Sequence, residues 1–138
     1  MNIIQLNRLN FDNVTLKSQT GPLNQLDLTY ISFDEVSMIN STFLFVNLDK
    51  ATFNQAGLNH IKFDNSSLAN AIFDSTQLED ADFGNSNLSG AQFLNTDLFT
   101  AKLTQEQLNQ AIFFNTRLPN GTFMITSTTT TRTSRIFN

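Results

Sequence analysis

The sequence has no cysteine, one histidine (His60) and one tyrosine (Tyr30). Without thiols there are no disulfide staples, no thiolate nucleophile and no cysteine-ligated zinc site, and nothing marks the redox compartment. Charge is sparse as well. Only 14% of residues are Asp, Glu, Lys or Arg, and the net charge of −4 has the wrong sign for holding phosphate backbones, so direct nucleic-acid binding is not expected. No run reaches the ~18 apolar residues of a membrane span, and Met1–Phe11 does not read as a signal peptide. The expectation is a soluble cytoplasmic chain with no membrane contact. There is no glycine-rich phosphate loop and no Gly-x-Ser-x-Gly elbow, so catalysis finds little raw material and no metal or cofactor is expected. What is present is a 138-residue chain, 40% hydrophobic with 14 Phe, which is enough for one core.

That apolar material is strictly periodic. From Leu28 through Phe33, Met38, Phe43, Leu48, Phe53 and onward to Leu98 and Leu103, every fifth residue is large and apolar. Two residues before each stands a small or β-branched side chain in nearly every case, such as Ile31, Val36, Ser41, Ala51, Ala71, Thr76 and Ala91. A period of five fits neither a helix, where residues five apart are rotated by about 140°, nor a strand, which alternates every two. The chain must turn after each short extended piece, with both members of the apolar pair facing a shared axis. Four such sides close a square.

The pentapeptides AIFDS (71–75), ADFGN (81–85), SNLSG (86–90) and AQFLN (91–95) resemble the pentapeptide-repeat family. The resemblance spans roughly 26–103 and implies an all-β fold: a right-handed quadrilateral parallel β-helix with twenty residues per coil. Phe and Leu alternate at the large position, so Phe33, Phe53, Phe73 and Phe93 are expected to stack on one side and Phe43, Phe63 and Phe83 on the opposite one. Neighbours in a stack should lie ~4.8 Å apart, and about five coils would stand ~24 Å tall.

The domain reading is one solenoid over 1–123, with an irregular first coil (1–25), regular coils (26–103) and a capping region (104–123), followed by a Thr-rich tail (124–138) for which disorder is expected. Ahead of Leu28 the same grammar runs two residues out of phase, and the slip falls near Gly21-Pro22, in a loop placed at Gln19–Asn24. After Leu103, Glu106 occupies an inward place, where a carboxylate is penalised. Thr104-Gln-Glu-Gln107 instead reads as a capping box opening a short helix over the last coil's edge. One further coil through Phe123 is the alternative.

Two outward features are candidate sites. Asp34, Glu35, Asp74, Glu79, Asp80 and Asp97 fall on two adjacent sides where no Lys falls. Residues 27–105 carry net −7 and the two ends +3. Leu44 and Phe45 on one side, Ile72 and Leu94 on another, and Phe99 around the next corner are apolar against the trend, and one such cluster is a candidate contact with a partner or a second copy. His60 and Asp80, twenty residues apart, should be vertical neighbours with Asn40 and Thr100, as a surface cross-strand pair. The expected function is non-enzymatic: a rigid interaction or scaffold module bound to another protein or to itself. The alternative comes from the family resemblance, some members of which mimic DNA on DNA gyrase and protect it from quinolones.

Overall fold

In the computed structural model, which describes residues 6–18 and 25–125, the five-residue grammar becomes a four-sided coil. Within a side, the small and large residues both point inward. The chain then turns, and the N–H of the next small residue donates to the carbonyl of the large one, as in Ala51 to Leu48 (3.0 Å), Ala56 to Phe53 (3.2 Å) and Ala71 to Leu68 (3.0 Å). The residue before that donor takes a left-handed backbone, with φ of 62° at Tyr30, 59° at Asn40, 56° at Gln55 and 53° at Asp80. A positive φ at the third residue of a hydrogen-bonded turn is the type II pattern. Most of these positions are not glycine, so each corner carries strain that the coil-to-coil bonding must offset.

That bonding is parallel and runs at a spacing of twenty. Short strands stack as β1 (Thr15–Lys17) with β3 (Thr42–Leu44) and β5 (Lys62–Asp64), β2 (Leu26–Asp27) with β4 (Val46–Asn47), and β6 (Ile72–Asp74) with β7 (Gln92–Leu94) and β8 (Ile112–Phe114). Isolated bridges such as Ser32 with Thr52 and Lys62 with Asp82 carry the same register around the remaining sides. After Phe43 and Phe63 a hydroxyl replaces the turn bond: the Oγ of Ser66 accepts from the Val46 N–H (3.1 Å), and that of Ser86 from the Ser66 N–H (3.2 Å). Thr76 and Thr116 turn their hydroxyls the other way and donate to the carbonyls of Phe53 (2.7 Å) and Phe93 (2.8 Å). Buried Ser and Thr at the small position thus complete the backbone bonding of the corners.

The shaft is filled. Phe53, Phe73 and Phe93 stack at 4.9 Å between ring centroids, with ring planes within 5° of parallel. Phe43, Phe63 and Phe83 form the opposite column at 5.3 and 5.5 Å. The two columns meet edge to face at the axis, as at Phe53–Phe63 (5.9 Å, 75°) and Phe83–Phe93 (5.5 Å, 89°), which is the preferred geometry for ring quadrupoles. Leu48, Leu58, Leu68, Leu78, Leu88 and Leu98, all buried, close the other two sides.

The ends differ from the sequence expectations in two ways, and two further expectations fall outside the described residues. The first residues pair at a spacing of 27 rather than 20, with Thr15 beside Thr42 and Asn10 beside Ser37, so the phase slip of two reflects seven extra residues before Leu26. The loop expected at 19–24, and the disorder expected for most of the Thr-rich tail (126–138), lie outside the described residues. The expected count of about five coils falls to about four. The first segment supplies only three sides, with Leu16 paired to Phe43, and the last residues are spent on a helix and a return strand instead of a full turn.

At the C-terminal end, cap and further coil turn out to be one structure. Helix α1 (Gln105–Gln110) opens on the expected capping box, in which the Thr104 side chain accepts from the Gln107 N–H and the Gln107 side chain accepts from the Thr104 N–H. The helix replaces a single side without losing register, because the Ile112 N–H still donates to the Ala91 carbonyl (2.7 Å) and Phe113 stacks on Phe93 at 5.6 Å. After β9 (Thr116–Arg117) the chain reverses, and β10 (Phe123–Met124) pairs with it antiparallel.

Candidate functional site

Within the regular coils, outward side chains stand above neighbours twenty residues away, so surface chemistry here is organised in columns. Asp34, Glu35 and Asp74 project from the side built on Phe33, Phe53 and Phe73. Glu79, Asp80 and Asp97 project from the next side, built on Leu78 and Leu98. The structure therefore keeps the six acids on two adjacent sides, but not as a bare acidic surface. Arg8 Nε donates to Glu35 Oε2 (2.9 Å), and His60 Nδ1 stands 3.5 Å from Asp80 Oδ2. Arg117 engages both oxygens of Asp97, with Nε at 2.9 Å from Oδ1, while its guanidinium lies 4.6 Å from the ring centroid of Phe99. The absence of lysine holds, yet cations from the two irregular ends reach this half. Sequence reasoning missed Arg8 because the first segment is seven residues out of step, and Arg117 because the count was not carried past the helix, although Arg117 stands twenty residues after Asp97.

The remaining acids are tied into the scaffold to different degrees. Asp34 Oδ1 accepts from the Asn54 N–H above it (2.8 Å). Asp74 accepts from Asn95 Nδ2 (2.8 Å), and Asn95 accepts in turn from Asn115 (2.8 Å). Glu79 makes no ion pair among the described residues. Between these groups lies a shallow open depression of about 710 Å³, bordered by Asn59, Gln77, Glu79, Asp97, Phe99 and Arg117. A second, of about 300 Å³, lies where α1 meets the last coil, bordered by Gly84, Asn87 and Gln107. Neither brings an acid, a base and a nucleophile together. Among the described residues no group of three or more His, Asp or Glu is placed to hold a metal ion, and no helix is long and apolar enough to cross a membrane.

The Arg117 guanidinium holds the Asp97 carboxyl below its ordinary value of 3.8. The Ser37 hydroxyl does the same for Asp12, and the Thr29 hydroxyl for Asp27. A depressed carboxyl contributes stability that is fully present above the ordinary value and is lost as pH falls through the lowered one. Stability is accordingly expected to decline below about pH 4. Asp97→Asn should flatten that decline in acid unfolding curves; an unchanged acid limb would show that the exposed pair with Arg117 contributes nothing measurable.

The apolar candidates separate. Leu44 and Phe45 are half-buried, and Leu44 sits between Lys17 and Asp64. Phe99, half exposed, is covered on one face by Arg117. Ile72 and Leu94 lie diagonally across β6 and β7, and β8 extends them: Ile112 continues the column of Ile72 and Gln92, and Phe114, 45% exposed, continues that of Asp74 and Leu94. The apolar strip Ile72, Leu94, Ile112 and Phe114 is thus larger than the sequence reading had it. Its signal was Phe113 remaining in phase twenty residues after Phe93. Tyr30 and Lys50 were likewise missed as vertical neighbours: Lys50 Nζ donates to the Tyr30 hydroxyl (2.6 Å), which raises the Lys50 pKa.

Comparison with known proteins agrees with this geometry. A family model described as a pentapeptide repeat region matches residues 19–93, and one described as pentapeptide repeats (8 copies) matches residues 76–115. No curated protein sequence matches. Among solved structures, the chain is similar to HetL, a pentapeptide repeat protein involved in heterocyst differentiation regulation from the cyanobacterium Nostoc, with 18% identity and a TM-score of 0.37. That alignment covers 86% of this chain, which spans 61% of the HetL chain.

Proposed function

Because the chain belongs to the pentapeptide-repeat family, we propose that it acts as a rigid interaction module that binds another protein and performs no chemistry of its own. The observation that carries this reading is the filled shaft. With Phe33 through Phe93 and the intervening Leu all at most 1% exposed, the interior offers no volume for a substrate, and several outward polar groups are bonded to vertical neighbours, as Asp97 is to Arg117 and Asn95 to Asn115. What varies from side to side is charge and apolarity, the currency of protein recognition. The face best suited combines the carboxylates of Asp74, Glu79 and Asp80 with the adjoining strip of Ile72, Leu94, Ile112 and Phe114. Its partner would present basic groups around an apolar centre.

The test is affinity capture with the intact chain and with a variant in which Asp74, Glu79, Asp80 and Asp97 are all changed to Lys. Partners held by this face should be lost from the variant at least tenfold, while its cooperative unfolding persists; capture that ignores the reversal would sink the assignment of the face. A second reading, mimicry of DNA on a type II topoisomerase, draws support from the lysine-free acidic half. Arg8 and Arg117 act against it by neutralising Glu35 and Asp97. If a stoichiometric excess of the protein leaves supercoiling by DNA gyrase unchanged, that second reading is finished.

A further inference from the structure

On the side built over Leu58, Leu78 and Leu98, the three acids are not equivalent. Asp97 is held by Arg117, and Asp80 stands 3.5 Å from His60. The Glu79 carboxylate has no cation, and the Gln77 amide no hydrogen-bond partner, among the described residues. Both flank the buried Leu78 and border the depression of about 710 Å³. The backbone that carries Glu79 is fixed, because its N–H donates to Asn59 Oδ1 (3.0 Å) and its carbonyl accepts from the His60 N–H (2.8 Å). Phe99, twenty residues on, stands one rung above Glu79 in the same column, at an interstrand spacing of roughly 4.8 Å. It remains 50% exposed.

The chain itself shows what a carboxylate beside this ring can hold. Arg117 bonds to both oxygens of Asp97 and lays its guanidinium 4.6 Å from the centroid of Phe99. Glu79, below the ring, repeats the pairing of carboxylate and aromatic. We propose that Glu79, Gln77 and Phe99 form the seat for an arginine side chain of the partner protein. The guanidinium donates to the two carboxylate oxygens of Glu79 and to Gln77 Oε1, and its plane lies against the exposed part of Phe99. Arginine suits this grouping better than lysine. Its planar fork of donors matches a carboxylate with a neighbouring amide and stacks on a ring, whereas an ammonium is a compact, strongly hydrated point charge. Charge favours a cation here, since no Lys falls on this side and the two nearby cations, Arg117 and His60, already face Asp97 and Asp80. The assignment rests on the interaction reading above and adds which side chain the acidic face selects.

Nuclear magnetic resonance titration of the full chain tests it, with N-acetylarginine amide as the probe and N-acetyllysine amide beside it. The arginine probe is expected to give saturable shifts at the backbone amides of Gln77, Glu79 and Phe99, and the lysine probe to bind about tenfold more weakly. Glu79→Gln and Phe99→Ala should each weaken arginine binding by about fivefold or more, while Glu106→Gln on α1 leaves it unchanged. No saturable shift at these amides, equal binding of the two probes, or unchanged binding in Glu79→Gln would overturn the proposal. The two readings fail separately. If partner capture is lost on the fourfold charge reversal but the arginine probe ignores Glu79→Gln, the face stands and the arginine seat falls; if the probe binds as expected but capture ignores the reversal, the seat stands without the face.

Discussion

Replacing Phe63 by Ala is expected to lower the free energy of unfolding by roughly 3–5 kcal/mol, the range for a fully buried aromatic truncated in a core that relaxes only in part. Phe63 is 0% exposed, lies 5.3 Å from Phe43 and 5.5 Å from Phe83 in its own column, and meets Phe53 and Phe73 edge to face at 5.9 and 6.2 Å. All four contacts vanish together. The walls cannot collapse into the gap, because their spacing is fixed by coil-to-coil bonds such as Phe63 N–H to the Asp82 carbonyl (2.8 Å). Denaturant titration beside Phe99→Ala checks the assignment. Phe99 is 50% exposed, and its loss should cost under about 1 kcal/mol. Similar costs for the two would mean that the columns are not where the core energy resides.

The second large effect is expected at Gln107, which is 4% exposed although it belongs to a surface helix. Its Nε2 reaches the carbonyls of Ser86 (2.9 Å), Gly84 (3.1 Å) and Phe83 (3.3 Å), and its Oε1 accepts from the Thr104 N–H (2.9 Å). One side chain therefore does for this edge what another coil would do. Gln107→Met preserves the volume and removes the donors. Burying unpartnered carbonyls costs about 1–3 kcal/mol each, and water entering through the adjoining depression offsets part of it, so a total near ~2–3 kcal/mol is expected. Gln105→Met, on the exposed face of α1, is the control and should be close to neutral. If both variants unfold alike, the cap acts by covering the edge rather than by bonding to it.

Much of this molecule was legible because its side-chain pattern and its backbone geometry have one period. Phe53, Phe73 and Phe93 in a single column follow from counting by five and dividing by four. The acids and apolar residues of the regular coils could be assigned to sides by the same arithmetic. Legibility stopped where the count was interrupted. Arg8 lies below seven inserted residues, and Arg117 lies beyond the helix, so their pairing with Glu35 and Asp97 could not be placed. At the cap, Glu106 correctly signalled a helix, since no inward place tolerates its carboxylate. The choice between helix and coil was nevertheless a false one. Six helical residues fit into one side and return the chain in phase at Ala111, which left Ile112 and Phe114 out of the expected contact surface.

The register of twenty has a consequence for how such a chain changes length. Excising twenty residues, for instance 54–73, would join equivalent points of successive coils and leave every remaining side chain above the same kind of neighbour, giving a shorter rod with its faces aligned. Excising five, for instance 54–58, would keep small and large residues inward, but everything downstream would be rotated by a quarter circle relative to what precedes it. Asp74 and Leu94 would then no longer share a wall with Asp34. In this architecture the interior tolerates steps of five, whereas any surface assembled from several coils survives only steps of twenty.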